Sequence, residues 1–177
     1  MDNKLSLSVI LPIKSALAKD FNEYFEKAIK SLQTQQVEFE ELVIVHTPEE
    51  TLVTLLNEYD FGNINVTKLL WDKEPNYCAQ VNFGVENAKG KWVSLFEFDD
   101  EYSLIWFKNV KKYMEAYPEV QIFLPVVVDT DEKGAFAGFT NEATFAANFS
   151  PHSFTRYRQT QTMLPSKNSP PNPSNFL

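Results

Sequence analysis

Apolar runs of strand character alternate with helix-period segments along the first ~140 residues, and this alternation most constrains the fold. Leu5–Ile13 (LSLSVILPI) is apolar and β-branched enough for a buried strand, and Leu42-Val43-Ile44-Val45 is a continuous run suited to a strand covered on both faces. Phe21, Phe25, Ala28, Ile29 and Leu32 recur between them at helical spacing, with Asp20 expected as N-cap. Pro48 fits the first turn of a second helix, with Thr47 as cap and Glu49 and Glu50 near its positive end. Ile64–Trp71 reads as a third strand. Tyr77, Val81, Gly84, Val85 and Ala88 mark one face of a third helix, ended by Gly90 as a C-cap. Trp92–Phe98 is the fourth strand expected, followed by a helix with Leu104, Phe107, Val110, Met114 and Tyr117 on one face, stopped at Pro118. Val120–Val128 reads as a fifth strand, and Asp131-Glu132-Lys133-Gly134 as a turn into a sixth. The fold class that follows is α/β, a mostly parallel sheet with helices on both faces.

Composition narrows the function. The chain has 177 residues, enough for one domain with a real core. A formal charge of −8 argues against a nucleic-acid backbone or an anionic membrane as main partner. Cys78 alone makes neither an internal disulfide nor a thiolate zinc cage, and two histidines are too few for a His-rich metal site. No apolar run approaches a membrane span and no signal-peptide core follows Met1, so a soluble, cytoplasmic protein is expected. The last acidic residue is Glu142, and five of the ten prolines fall at Pro151, Pro165, Pro170, Pro171 and Pro173. Residues 1–149 are therefore expected to form the domain, and 150–177 an extended or disordered Pro/Ser/Asn-rich tail.

In parallel sheets ligands collect at the carboxyl ends of the strands, which directs attention to Pro12–Ser15, His46–Pro48, Trp71–Glu74 and Glu97–Glu101. The fourth strand runs directly into Glu97-Phe98-Asp99-Asp100-Glu101, four carboxylates in five positions. Such clustering costs stability unless a cation or hydrogen-bond donors offset it. Glu97 and Asp99 share a face of a continuing strand and could reach one hard divalent ion, which takes oxygen ligands and often a substrate phosphate. The alternative is a solvated turn in which Asp99 or Asp100 caps the next helix.

The block from Asn82 to Asp100 (NFGVENAKGKWVSLFEFDD) resembles the N-x-G-hydrophobic-x-x-A-x-G-x-aromatic-hydrophobic-x-x-hydrophobic-D-x-D-D segment of family 2 glycosyltransferases. Leu7–Pro12 and Glu41–Val45 are similar to that family's first two strands, and the likeness runs in order over roughly residues 5–130. The resemblance implies a GT-A fold and transfer of a sugar from a nucleotide-diphosphate donor to an acceptor, which it leaves unidentified. It also implies Mn²⁺ or Mg²⁺ held by Glu97 and Asp99, which fall on the D-x-D pair. Pro12, with Ile13 and Lys14 after it, falls where the first loop lines the nucleoside pocket, and Thr47 on the second donor loop. Asn82 falls on the motif's asparagine, with helix packing as its other reading. Gly84 is read as permitting close approach of helix and sheet.

The chain also departs from the family. Glu97 stands for the usual first Asp, His46-Thr47-Pro48 for D-D-G or D-G-S, and Val81 for a frequent arginine. The acceptor-binding half with its catalytic acid has no counterpart, so no base is assigned, and Glu142 is the remaining candidate. The alternative function is a truncated, non-catalytic nucleotide-sugar-binding module, and exposed sheet surface in such a module suggests a homodimer. A nucleotidyltransferase or a dinucleotide-binding enzyme is set aside, because no glycine lies in residues 14–30 to form a phosphate-cradling loop. His46 lacks a neighbouring nucleophile or orienting acid and is read as a pocket or structural residue, and Cys78 as a small packing residue. Asp72 and Lys73 are read as a solvated connection, with contact to the donor phosphates or nucleoside as their other reading.

Overall fold

A computed structural model describes residues 4–123, 128–131, 135–139 and 163–165. Strand β1 (Leu5–Ile13) pairs in parallel with β2 (Phe39–His46) on one side and β4 (Trp92–Leu95) on the other, and β3 (Val66–Leu70) extends the sheet beyond β2. The register runs Val9↔Leu42 through Ile13↔His46 between β1 and β2, and Leu7↔Trp92 through Ile10↔Leu95 between β1 and β4. The strand β7 (Met163–Pro165) closes the edge antiparallel to β4, giving the order β3-β2-β1-β4-β7. A separate hairpin pairs β5 (Val128–Thr130) with β6 (Phe136–Phe139). This is the mostly parallel α/β sheet that the alternation predicts.

Strands β1 and β2 are buried on both faces, as their unbroken apolar runs require, whereas β3 is only half-buried. Leu5, Leu7, Val9, Leu11 and Ile13 of β1, with Leu42 and Ile44 of β2, face one helix layer. That layer is α1 (Phe21–Gln33), α2 (Glu50–Glu58) and α4 (Trp106–Ala116), which contribute Phe21, Phe25, Leu32, Leu52, Leu56, Phe107 and Val110. On the opposite face Ile10, Val43, Val45 and Val93 meet α3 (Tyr77–Asn87) through Phe83 and Val85, with Ala88 just beyond the helix. Pro12 is tolerated within the central strand for a local reason. The Phe96 amide donates to the Ile10 carbonyl (3.0 Å), so Ile10 and, two residues on, Pro12 point toward β4, where pairing has just ended.

Several local expectations are corrected. Asp20 occupies the N-cap position of α1, but with a left-handed backbone (φ 59°) and no side-chain cap bond; its carboxylate lies 3.7 Å from Lys19. Helix α2 starts at Glu50 with Glu49 at the N-cap, so Pro48 precedes the helix and Thr47 does not cap it. Strand β4 ends at Leu95, and Glu97–Asp100 leaves the sheet as a turn closed by the Asp100 amide on the Glu97 carbonyl (3.2 Å). The buried stripe of α3 is Gln80 and Gly84, while Tyr77 and Cys78 are exposed; Cys78 is thus no packing residue. On the fourth helix Phe107 and Val110 are buried, whereas Leu104 and Tyr117 lie outside the helix and are exposed. Of the expected fifth strand only Val128 lies in described strand. The caps are missed because capping depends on where the preceding loop is tied, which periodicity does not encode.

Two glycines are required by contact. A methyl group on Gly84 would stand 2.6 Å from Ile10 Cγ2, so the expected close approach is present. One on Gly90 would stand 2.5 Å from the Ser8 backbone nitrogen. Gly90 is therefore not the C-cap anticipated: the C-cap is Ala88, and Gly90 serves to let the chain pass against β1. Within 150–177, Met163–Pro165 is the edge strand β7; the remainder, like Glu142, lies outside the described residues. Among the described residues no helix is long and apolar enough to cross a membrane.

At the amino end of the sheet sits a fully buried carboxylate, Glu41. It accepts from Ser8 Oγ (3.0 Å), Thr67 Oγ1 (2.8 Å) and the Lys89 amide (2.7 Å), and pairs with Lys89 Nζ at 3.2 Å. Ser8 Oγ also accepts from the Gly90 amide at 2.9 Å. One charge thus joins three strands and the α3–β4 turn. Burial pushes the Glu41 carboxyl up, but the hydrogen bonds from Lys89, Thr67 and Ser8 outweigh it and hold it below its ordinary 4.5. A depressed folded-state pKa gives stability that is present above the unfolded value and lost as pH falls through the folded one. Glu41→Gln is expected to lower unfolding free energy by about 2–4 kcal/mol at pH 7. In denaturant titrations that gap should close as pH falls below about 4.5; a gap independent of pH would refute the charged-network account.

Candidate functional site

The strand order reverses at β1: the chain steps outward through β2 and β3, then returns to place β4 on the other side. Loops after β1 and β4 diverge at such a point and leave a crevice at the carboxyl ends of the strands. The acidic turn stands there. Phe96 makes the last bond to β1, and Glu97 follows directly, half-buried, with Asp99 exposed and Asp100 half-buried. Burial, then the neighbouring Asp99, pushes the Asp100 carboxyl up to about 6. Sequence reasoning anticipates this repulsion; the structure shows Glu97 and Asp100 half-buried and Asp99 and Glu101 exposed.

Tyr77, the first residue of α3, reaches across to this turn, its phenol donating to Glu97 Oε1 at 3.2 Å. The residue is nearly half exposed, but partial burial of its phenol, with Glu97 and Asp100 adding to it, raises the Tyr77 pKa above that of a free phenol. The helix start is held by Asn76, whose side chain accepts from the Ala79 amide at 2.9 Å. Sequence reasoning missed this tyrosine, counting it as part of the core-facing stripe. The exposed aromatic at a helix start beside a strand-end loop is the signal that was available.

The loop after β1 is fastened to the second strand end. Thr47 is buried, and its hydroxyl donates to the Lys14 carbonyl at 2.7 Å. Glu49 accepts from the Ser15 hydroxyl and from the Ala16 amide (3.0 Å), so its carboxylate is committed to the loop. Beneath the loops lies Gln80, 2% exposed, whose amide donates to the carbonyls of Ile13 (3.4 Å) and Val45 (3.3 Å). Glu49 and Gln80 were not identified from sequence as site-forming residues, because each acts on a partner more than thirty positions away. His46 is buried and its Nδ1 donates to the Thr47 carbonyl at 2.9 Å. In the third loop the Trp71 indole donates to the Glu74 carbonyl (3.0 Å) and Lys73 lies over its ring, while Asp72, Lys73 and Glu74 are exposed.

Of the residues predicted for the site, Pro12, Lys14, Thr47, Glu97 and Asp99 lie at or just beyond the carboxyl ends of β1, β2 and β4. Pro12 is a buried strand residue, and Lys14 is exposed one residue past β1. Asn82 lies in the second turn of α3 and is exposed. Among the described residues no three His, Cys, Asp or Glu side chains converge on one metal position. The two hard oxygen donors of Glu97 and Asp99 nonetheless fit a small divalent ion. Mg²⁺-like ions commonly take one or two carboxylates and complete their shell with phosphate oxygens and water. A separate cleft of about 440 Å³, lined by Phe39, Glu40 and Asn65 among others, lies at the amino end of the sheet, remote from these loops.

The sequence matches the glycosyl transferase family 2 over residues 8–170. The fold is similar to the 1–349 fragment of S. aureus TarS, with a TM-score of 0.61, 14% identity, and coverage of 90% of this chain and 46% of that one. A TarS 1–349 structure in complex with UDP-GlcNAc aligns with a TM-score of 0.51 and 19% identity, over 66% of this chain and 32% of that one. The mannosyltransferase PcManGT from Pyrobaculum calidifontis, in complex with GDP-Man and Mn²⁺, gives a TM-score of 0.56 and 16% identity, over 67% and 34% of the two chains. The chain thus spans less than half the length of these structures. No protein of curated function matches the sequence at a significant level. With its family match covering most of the chain and its sheet shared with GT-A glycosyltransferases, this chain belongs to glycosyl transferase family 2.

Proposed function

We propose that the chain binds a nucleotide-diphosphate sugar at the carboxyl ends of β1, β2 and β4 and transfers the sugar to an acceptor. The observation that carries this is the placement of Glu97 and Asp99 at the reversal of strand order, beside the tied loop of Lys14–Ala16. Solved structures of similar fold hold UDP-GlcNAc in one case and GDP-Man with Mn²⁺ in another, which supports the donor class and the cation. In this reading Glu97 and Asp99 hold Mn²⁺ or Mg²⁺, and Pro12, Lys14, Thr47, Asn82 and Asp99 border the donor within the domain of residues 1–149. A bound divalent ion would offset charge developing on the departing diphosphate. The chain's own part is to hold the two carboxylates and the loops in place. A base for the acceptor hydroxyl must lie within hydrogen-bond reach of it, and Glu142, outside the described residues, stands as that candidate. A cytoplasmic location belongs to the same reading.

A second reading, a nucleotide-sugar-binding module without turnover, is favoured by Glu97 and Thr47 standing where the family commonly has aspartates. Calorimetric titration of UDP and GDP, with and without Mn²⁺, is expected to show metal-dependent binding that weakens at least about tenfold in Glu97→Ala/Asp99→Ala, from the loss of two charged contacts. Absence of binding under every condition would overturn the donor-site proposal, and binding without donor hydrolysis or transfer would select the second reading. Leu104, Ile105, Tyr113 and Tyr117 are exposed on and around α4 and support pairing of two copies. Sedimentation equilibrium is expected to find a dimer; a monomer at high concentration would remove that part of the proposal.

A further inference from the structure

We propose that Tyr77 is a positioning residue that holds the Glu97 carboxylate in place for the divalent cation. This rests on the reading of Glu97 and Asp99 as the cation ligands. A glutamate on an open turn has one more rotatable bond than an aspartate, and freezing it on cation binding costs side-chain entropy. The phenol removes that freedom beforehand by donating to Oε1 at 3.2 Å. A carboxylate oxygen accepts more than one bond, so the phenol and an ion can share the group.

The brace is itself anchored. Tyr77 opens a helix whose start is capped by Asn76 and whose underside is seated on β1 and β2, Gln80 on the carbonyls of Ile13 and Val45 and Gly84 against the side chains of Ile10 and Val45. The phenol is thereby fixed to the sheet from which Glu97 emerges, so both ends of the hydrogen bond belong to one rigid frame. The competing explanation is a surface contact that only joins α3 to the β4 turn.

A double-mutant cycle in the full chain separates these, with wild type, Tyr77→Phe, Glu97→Asp and the double variant. Mn²⁺ affinity is read by calorimetry in the presence of UDP and of GDP, and free Mn²⁺ by its electron paramagnetic resonance signal. Thermal melts accompany each variant. Tyr77→Phe is expected to weaken Mn²⁺–nucleotide binding about three- to tenfold, the net worth of one ordinary hydrogen bond, with the melting temperature unchanged. In the Glu97→Asp background the same change should matter less than about twofold, because the carboxylate is withdrawn by roughly one C–C bond, about 1.5 Å, out of the phenol's reach. Equal losses in both backgrounds overturn the proposal, since the phenol would then act on the nucleotide directly or through the fold. Wild-type affinity in Tyr77→Phe, with metal-dependent binding still lost in Glu97→Ala/Asp99→Ala, overturns the positioning role and leaves the donor site standing. Failure of the wild-type chain to bind in the presence of Mn²⁺ overturns both.

Discussion

Helix α3 rests on β1 and β2 through Gly84, where a side chain would run into Ile10 and Val45. Much of the molecule depends on that contact. It brings the helix near enough for Gln80, one turn earlier, to bond the backbone at the ends of both strands. It also sets Tyr77, at the helix start, beside the turn that leaves β4. Beyond the other end of the helix Gly90 passes against β1 and leaves its amide to Ser8. A bulkier residue at either glycine would lift α3 from the sheet and separate these bonds together.

Electrostatics divides the sheet into two ends with different logic. At the amino end Glu41 is buried and ionised because three donors and an ammonium surround it, and the charge serves as a joint. At the carboxyl end the acids of the β4 turn differ from one another in burial and exposure. Asp100 is pushed toward its neutral form by burial and by Asp99, while Asp99 faces solvent and Glu97 takes a phenol. Unequal treatment of neighbouring carboxylates is a mark of functional sites, and here it falls where the sheet topology opens a crevice.

The class of fold and most elements were legible in the sequence because a parallel strand buried on both faces leaves an uninterrupted apolar run, as in Leu5–Ile13 and Leu42–Val45. The motif from Asn82 to Asp100 was legible for another reason: close packing at Gly84 and a carboxylate pair at a strand end each demand particular residue types at particular spacings. Boundaries were less legible. Thr47 and Asp20 read as helix caps because both residue types cap helices, yet Thr47 bonds the Lys14 carbonyl and Asp20 makes no cap bond. Gly90 read as a cap for the same statistical reason, although what requires it is the backbone of Ser8.

The sequence by itself determined the α/β alternation, the acidic turn after the fourth strand and the family to which the chain belongs. These rest on local pattern, where burial and side-chain period act on neighbours in the chain. Only the tertiary structure decided that Asp99 and Glu101 stand exposed beside half-buried Glu97 and Asp100, that Met163–Pro165 forms an edge strand, and that Tyr77, Glu49 and Gln80 bond the turn, loop and strand ends at the carboxyl edge of the sheet. Those outcomes are made by hydrogen bonds and packing between segments far apart in sequence. Their partners are chosen by how strands order and helices seat, which no single stretch of residues encodes.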